Sequence, residues 1–393
     1  MLYVNHTPTT NPLFVLWKQK CKNLFLNLPI ESLLLKKVQF TRVNPRGGIE
    51  TLFNVGSDLD ILEISDCNLG TLNYTFLSAK TLNTKIINND FTLDHESAFI
   101  IKARNWSLVQ NKIKKVKGRM EMGSHGVNSG VLIENNEVEF SKESQETDNI
   151  FHLNFEAGQR VAAVKIVNTN LGKLRRKFIS DISLDTLEIS DCSLTLDNEG
   201  ILDLSVRRFV FVNNQVENIK SEAFRLRVGE LGMIANNSFQ HVQLESFARI
   251  APASPAPPSL EIKNNWIENF EPGFLIIQQN WSKLQIENVF LNKSCDCQLN
   301  LFTTDQIKLI NNEVLIGTVV QNTYCTKLKL VNFYDYSREH CPAIDSPEQI
   351  TEVFWIAIRE GDRWNGKLIS PEFSCHFVIV SLHQKFSITN SSF

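Results

Sequence analysis

The chain of 393 residues has no run of the roughly 18 uninterrupted apolar residues that a bilayer-spanning helix needs; its nearest approach, His376 to Leu382, is far shorter. The chain as it stands therefore reads as no integral membrane protein. A surplus of one charge is missing too. With 40 Lys and Arg against 43 Asp and Glu, the formal charge of −3 provides no global field toward nucleic acid or an acidic membrane surface. No G-x-S-x-G, H-E-x-x-H, phosphate loop or dinucleotide fingerprint occurs, which removes the best-marked catalytic classes. A secretory leader is not visible either: MLYVNHTPTTNPLFVLWKQK offers only Leu13 to Trp17 as an apolar core before Lys18 interrupts it.

What is present is an ordinary globular composition, 42% apolar and 21% charged, enough for one elongated domain or two to three compact ones. Eight cysteines, a tight CDC cluster and the sequons at Asn5, Asn73, Asn105, Asn236, Asn280, Asn292 and Asn390 point to an oxidising, glycosylating compartment. The expectation is a secreted or cell-surface protein whose start is truncated, with glycosylation at Asn73, Asn105, Asn236, Asn280 and Asn292.

Internal repetition dominates the chain. LEISDC occurs at Leu62 to Cys67 and again at Leu187 to Cys192, and a looser unit recurs as WSLVQNKI, VLIENNEV, FVFVNNQV, LEIKNNWI and IKLINNEV. Its Asn-type position falls at Cys67, Asn89, Asn111, Asn136, Thr169, Cys192, Asn214, Asn237, Asn265, Val289 and Asn312, mostly 22 to 25 residues apart. Three residues earlier every copy is apolar, from Ile64 and Ile86 to Ile286 and Leu309. Alternation before the Asn position means a strand with one buried face. One such strand per coil means a parallel sheet stacked at about 4.8 Å, and about 11 coils make a rod roughly 50 Å long. This predicts an all-β solenoid, since no single coil buries its own face.

The column of Cys67, Asn89, Asn111, Asn136, Thr169, Cys192, Asn214, Asn237, Asn265 and Asn312 reads as a structural ladder. Each amide bonds the backbone of its turn and the amide of the next coil. Cys67 and Cys192 stand five coils apart, roughly 24 Å, too far for a disulfide, and are expected as buried thiols.

LDILEISDCNL and LDTLEISDCSL match the L-x-x-L-x-L-x-x-N/C-x-L pattern of leucine-rich repeats, and NNQVENIKSEAF resembles their extracellular type. Phe99-x-Ile101-x-Ala103, Leu202-x-Leu204-x-Val206 and Phe224-x-Leu226-x-Val228 instead alternate with period two and imply a second strand per coil. Over roughly residues 50 to 320 the pattern thus resembles the right-handed parallel β-helix of pectate-lyase-like proteins, with a leucine-rich-repeat solenoid as the alternative.

Two coils are long. One holds FSKESQETDNIF and the other APASPAPPS, and both read as surface excursions because proline and acidic clusters cannot join the ladder. Residues 1–45 lack the pattern and are expected to form an apolar, partly helical cap, with the solenoid at 46–320 and a cysteine-containing cap and tail at 321–393. SCDCQL followed by Cys325 and Cys341 resembles the cysteine-rich carboxy-terminal flank of extracellular leucine-rich-repeat proteins. That resemblance implies that Cys295 and Cys297 pair with Cys325 and Cys341, in an order left open. Cys21 and Cys375 are left over, either unpaired or bonded to each other.

The β-helix also hosts polysaccharide lyases and glycosidases. Their chemistry needs carboxylates converging within about 5 to 9.5 Å, and no such cluster is seen. GSHGVNSG resembles the G-H-G element of polygalacturonases, with His125 in the histidine place, but the paired-Asp elements are absent. SDLD at Ser57 to Asp60 has no counterpart in the next coil for a calcium cage. No catalytic, cofactor or metal site is expected. Lys117, Lys142, Arg175 and Arg176 form a candidate polyanion stripe on one face. The function expected is a non-catalytic extracellular solenoid binding a protein or glycan partner. The alternatives are a carbohydrate-active β-helix enzyme and a structural matrix rod.

Overall fold

A computed structural model describes residues 3–5, 13–17, 20–21, 32–40, 51–124, 128–141, 149–155, 160–243, 249–253, 258–271, 281–295, 323–327, 330–340, 355–360 and 363–368. Two compact units divide the chain, Met1–His340 and Cys341–Phe393.

The first unit is a parallel β-solenoid. Its coil is seen most plainly around Asn89. Strand Thr75–Ile87 ends at Asn88, which takes a left-handed φ of 53°; Asn89 turns inward; and the short strand Asp90–Leu93 follows. Ile86 on the first strand and Phe91 and Leu93 on the second point to one core, as the alternating pattern requires. The next coil repeats this in register, Phe99 beside Leu77 and Val109 beside Ile87.

The long strands turn a corner. In Phe99–Val109 alternation is broken by two successive outward residues, Arg104 and Asn105, and in Leu202–Val212 by Arg207 and Arg208. The two halves then serve different walls: Phe99–Ala103 pairs with Met120–Ser124, while Asn105–Val109 pairs with Gly130–Glu134. The back of the coil is therefore strand, as in a β-helix, and not the loop of a leucine-rich repeat.

All successive strands of the long sheet, from Leu13–Trp17 through Ser32–Lys36 to Lys283–Glu287, pair in parallel. The core is one continuous stripe with phenylalanine rings in edge contact from coil to coil, Phe40 to Phe76 at 5.2 Å and Phe76 to Phe99 at 5.5 Å.

The short strands behave differently. They form two sheets, one from Lys20–Cys21 to Glu137–Phe140 and one from Asn170–Leu174 onward. The break falls at the long step that holds FSKESQETDNIF. Across it Phe140 packs on Gly172, whose φ is +60°; an added Cβ there would lie 2.4 Å from Phe140 Cζ. Asn149, buried where the excursion returns, accepts from Arg175 N at 2.9 Å and donates to Arg176 O at 3.0 Å. The seam is thus closed by side chains, Phe140, Asn149, Asn168 and Asn170, in place of short-strand pairing.

Three boundaries differ from expectation. The segment expected as a cap, residues 1–45, contains strands of the solenoid itself, with Lys20–Cys21 beside Gln39–Phe40 and the antiparallel Tyr3–Asn5 on the outer edge of Leu13–Trp17. Val38 holds the ladder position of this earlier coil, and a valine gives no amide signal to read. At the other end, Thr323–Cys325 pairs in parallel with Val289–Leu291, so Thr323 holds the register next to Val289; Asn312, the expected eleventh ladder residue, lies outside the described residues. The first unit then runs through antiparallel Val331–Asn332 and helix Phe333–His340, past the expected boundary at 320/321. In the second unit, Trp355–Glu360 and Arg363–Leu368 form a hairpin.

Candidate partner-binding surface

The inner ladder takes up its asparagines completely. Asn237 Oδ1 accepts from Asn214 N at 2.9 Å and from Asn214 Nδ2 at 3.1 Å, while its own Nδ2 donates to Phe211 O and Asn265 Oδ1. Asn111 repeats the arrangement, Asn89 accepts from Cys67 N in place of an amide pair, and Asn136 accepts from Asn111 while its Nδ2 donates to Leu108 O. These amides are buried and face no ligand. Cys67 and Cys192 are buried and free, their sulfurs set on turn carbonyls at Ser65 (3.2 Å) and Ser190 (3.1 Å). Burial pushes both thiols up to about 11, so they stay protonated and inert at neutral pH.

Outside, the cations of the short-strand faces are met by carboxylates from the next coil. Lys112 faces Glu137 at 3.9 Å and Lys114 faces Glu139 at 3.7 Å; beyond the short strands Lys177 faces Asp203 of a long strand at 3.5 Å. Of the candidate polyanion stripe, Arg175 lies 3.8 Å from Asp197, which also takes Lys173 at 2.9 Å and Lys220 at 3.4 Å. Burial opposes ionisation of Asp197, but Lys173 and then Lys220 outweigh it and hold the carboxyl below its ordinary range. Lys117 and Arg176 are exposed, and Lys142 lies outside the described residues.

The outer face of the long sheet carries a different feature. In two adjacent coils Val210 stands beside Met233, Val212 beside Ala235 and Arg208 beside Leu231; Val210, Val212, Leu231 and Met233 are half-buried and Ala235 is buried. The half-buried Val210, Val212, Leu231 and Met233 make an apolar island of roughly 10 by 10 Å. Its rim is charged and internally paired: Glu188, in register with Val210, bonds Lys165 at 3.2 Å; Glu261, in register with Met233, bonds Lys263 at 3.1 Å. An apolar centre with a polar rim is the anatomy of a protein interface.

A second outward feature lies on the short-strand face of the last coils. Trp266, Phe290 and Tyr324 share one register and stack at 6.4 and 5.5 Å. Beside them the disulfide Cys295–Cys325 closes the end of the solenoid, with a Cα separation of 5.4 Å. Of the other cysteines of that cluster, Cys297 and Cys341 lie outside the described residues, as do His125 and Asn280. Asn73, Asn105, Asn236 and Asn292 are all exposed.

Neither the island nor the aromatic stack was visible as a pattern in the chain. Both need the register across unequal steps; the one signal available was an aromatic directly after the ladder position, at Trp266 and Phe290. Comparison of the chain with protein-family models, with curated proteins and with solved structures finds no match.

Proposed function

We propose that this chain is a non-catalytic, extracellular or cell-surface β-solenoid that binds a protein partner on the outer face of its long sheet. The observation that carries the reading is the island of Val210, Val212, Leu231 and Met233, bordered by the paired Glu188 and Glu261. The contact would be centred on the island and extend over the neighbouring coils, because a stable interface buries upward of about 1,000 Å² in all. Disulfide Cys295–Cys325 and the exposed sequon asparagines support the compartment. Carboxylates occupied by cations of adjacent coils, such as Asp58 on Lys80 at 3.0 Å, favour binding over acid–base chemistry.

The test is recovery of a defined extracellular protein by the secreted chain. Val210→Lys and Met233→Lys each set a cation beside an existing carboxylate, so the fold tolerates them, and each is expected to weaken capture at least about tenfold. Capture indifferent to both changes would place the contact elsewhere. Release of reducing ends from pectin, alginate or glycosaminoglycan would favour a carbohydrate-active enzyme, and the lack of any partner would favour a matrix rod.

A further inference from the structure

We propose that Asn236 carries an N-linked glycan whose first sugar ring lies on the open face of Trp266 and completes the aromatic stack of the last coils. The inference rests on the extracellular reading for its compartment and on separate observations for its place. In register, the stack runs Tyr324, Phe290, Trp266 and then Ser238. Serine is too small to cover an indole, and Trp266 remains 40% exposed, the one aromatic among the large exposed apolar side chains of the described residues. Neighbouring coils lie about 4.8 Å apart, so a pyranose in the row of Ser238 stands where the next aromatic ring would be. Its C–H face meets the indole, and its hydroxyls turn toward water and the exposed Gln215 and Gln240.

Ser238 is also the hydroxyl residue of the sequon Asn236-Asn237-Ser238. Asn237 points inward, while Asn236 sits outward in a left-handed turn at φ 56°. It belongs to an outer column in which Asn88 donates Nδ2 to Asp66, Asn168 to Asn135, Asn213 to Asp191, Asn264 to Asn236 and Asn288 to Asn264. Asn236 accepts in this column, yet among the described residues its own Nδ2 donates no hydrogen bond. The atom to be modified is therefore free, one coil and two residues from Trp266. Asn105, by contrast, uses its Nδ2 on Asn83 Oδ1 at 2.9 Å.

In the modification the Nδ2 of Asn236 attacks the anomeric carbon of an oligosaccharide activated as a polyprenyl diphosphate. The C1–N bond forms, the C1–O bond to diphosphate breaks with its electron pair leaving on the diphosphate, and one amide proton is released. No oxidation is involved.

The experiment is secretion from eukaryotic cells, site-by-site mass spectrometry, and timed release of glycans from the native chain by peptide N-glycosidase. Asn236 is expected to be occupied and released at least about fivefold more slowly than Asn73. Trp266→Ala removes that difference. Ser238→Ala deletes the sequon without touching the left-handed backbone of Asn236; it lowers Tm by about 2 °C in the parent and leaves Tm unchanged in Trp266→Ala. An empty Asn236 beside an occupied Asn73 or Asn292, or a release rate indifferent to Trp266, overturns the inference and leaves the compartment standing. A chain with no glycan at any sequon overturns both.

Discussion

The coils around Asn214, Asn237 and Asn265 and those around Asn136, Thr169 and Cys192 occupy the same column and do different things. In the first set Asn237 accepts two N–H donors from Asn214 and donates to Phe211 O and Asn265 Oδ1 at 2.9 to 3.1 Å, while Asn214 accepts from Cys192 N and Asn265 donates to Ile234 O on either side of it. In the second, Asn136 N reaches only Thr169 Oγ1, at 3.4 Å, and Thr169 N–H is turned on the Cys192 sulfur. The weaker joint coincides with the seam between the two short-strand sheets. A buried amide that satisfies four partners binds coils together; a hydroxyl or thiol in its place only fills the slot. The rod is accordingly two amide-locked segments joined at a softer seam, while the long sheet runs through both.

Breaking the locked segment is expected to have the largest effect. Asn237→Ala leaves Asn214 N, Asn214 Nδ2 and Phe211 O facing a hole, and should cost about 4 kcal/mol in urea unfolding of the full chain. If it costs no more than Cys192→Ala, the contrast between the two sets disappears. Gly172→Ala attacks the seam by forcing a Cβ into Phe140 at a positive φ, and should cost about 2 kcal/mol in the same measurement. Cys192→Asn extends the ladder of the second segment by one coil toward the seam. The new amide would take Thr169 N–H and reach Asn214 Oδ1, with an expected gain of about 1 kcal/mol; a loss would mean that this slot cannot seat an amide.

The smallest effect concerns charge. Asp197 has its folded pKa held below the ordinary carboxylate value, so its contribution is present above the unfolded pKa and lost as pH falls through the folded one. Asp197→Asn should therefore lower the unfolding free energy at pH 7 by less than about 1 kcal/mol and make no difference at the acidic end of that window. An equal effect at both pH values would assign it to packing.

Much of this was legible in the chain because asparagine at a 22-residue step, with apolar residues three before it, has one cheap physical explanation. The second strand of each coil was equally readable from Phe99-x-Ile101-x-Ala103. The earliest coil was not, since Val38 fills the ladder slot with an aliphatic group, and apolar Leu33 and Leu35 fit a cap as well as a strand. The left-handed outer column at Asp66, Asn88 and Asn213 lay one residue from the ladder and could have been found from the N-N and D-C pairs. The apolar island and the aromatic stack could not, because both depend on which residues become neighbours across steps of unequal length.

Native-state hydrogen exchange read residue by residue tests the two-segment rod most directly. The account predicts that the N–H groups of Asn89, Asn111, Asn214 and Asn237, each held by a side-chain amide oxygen, exchange together and slowest, and that Asn136 N–H exchanges at least about tenfold faster. Equal protection along the column, or slowest exchange at Asn136, would contradict it.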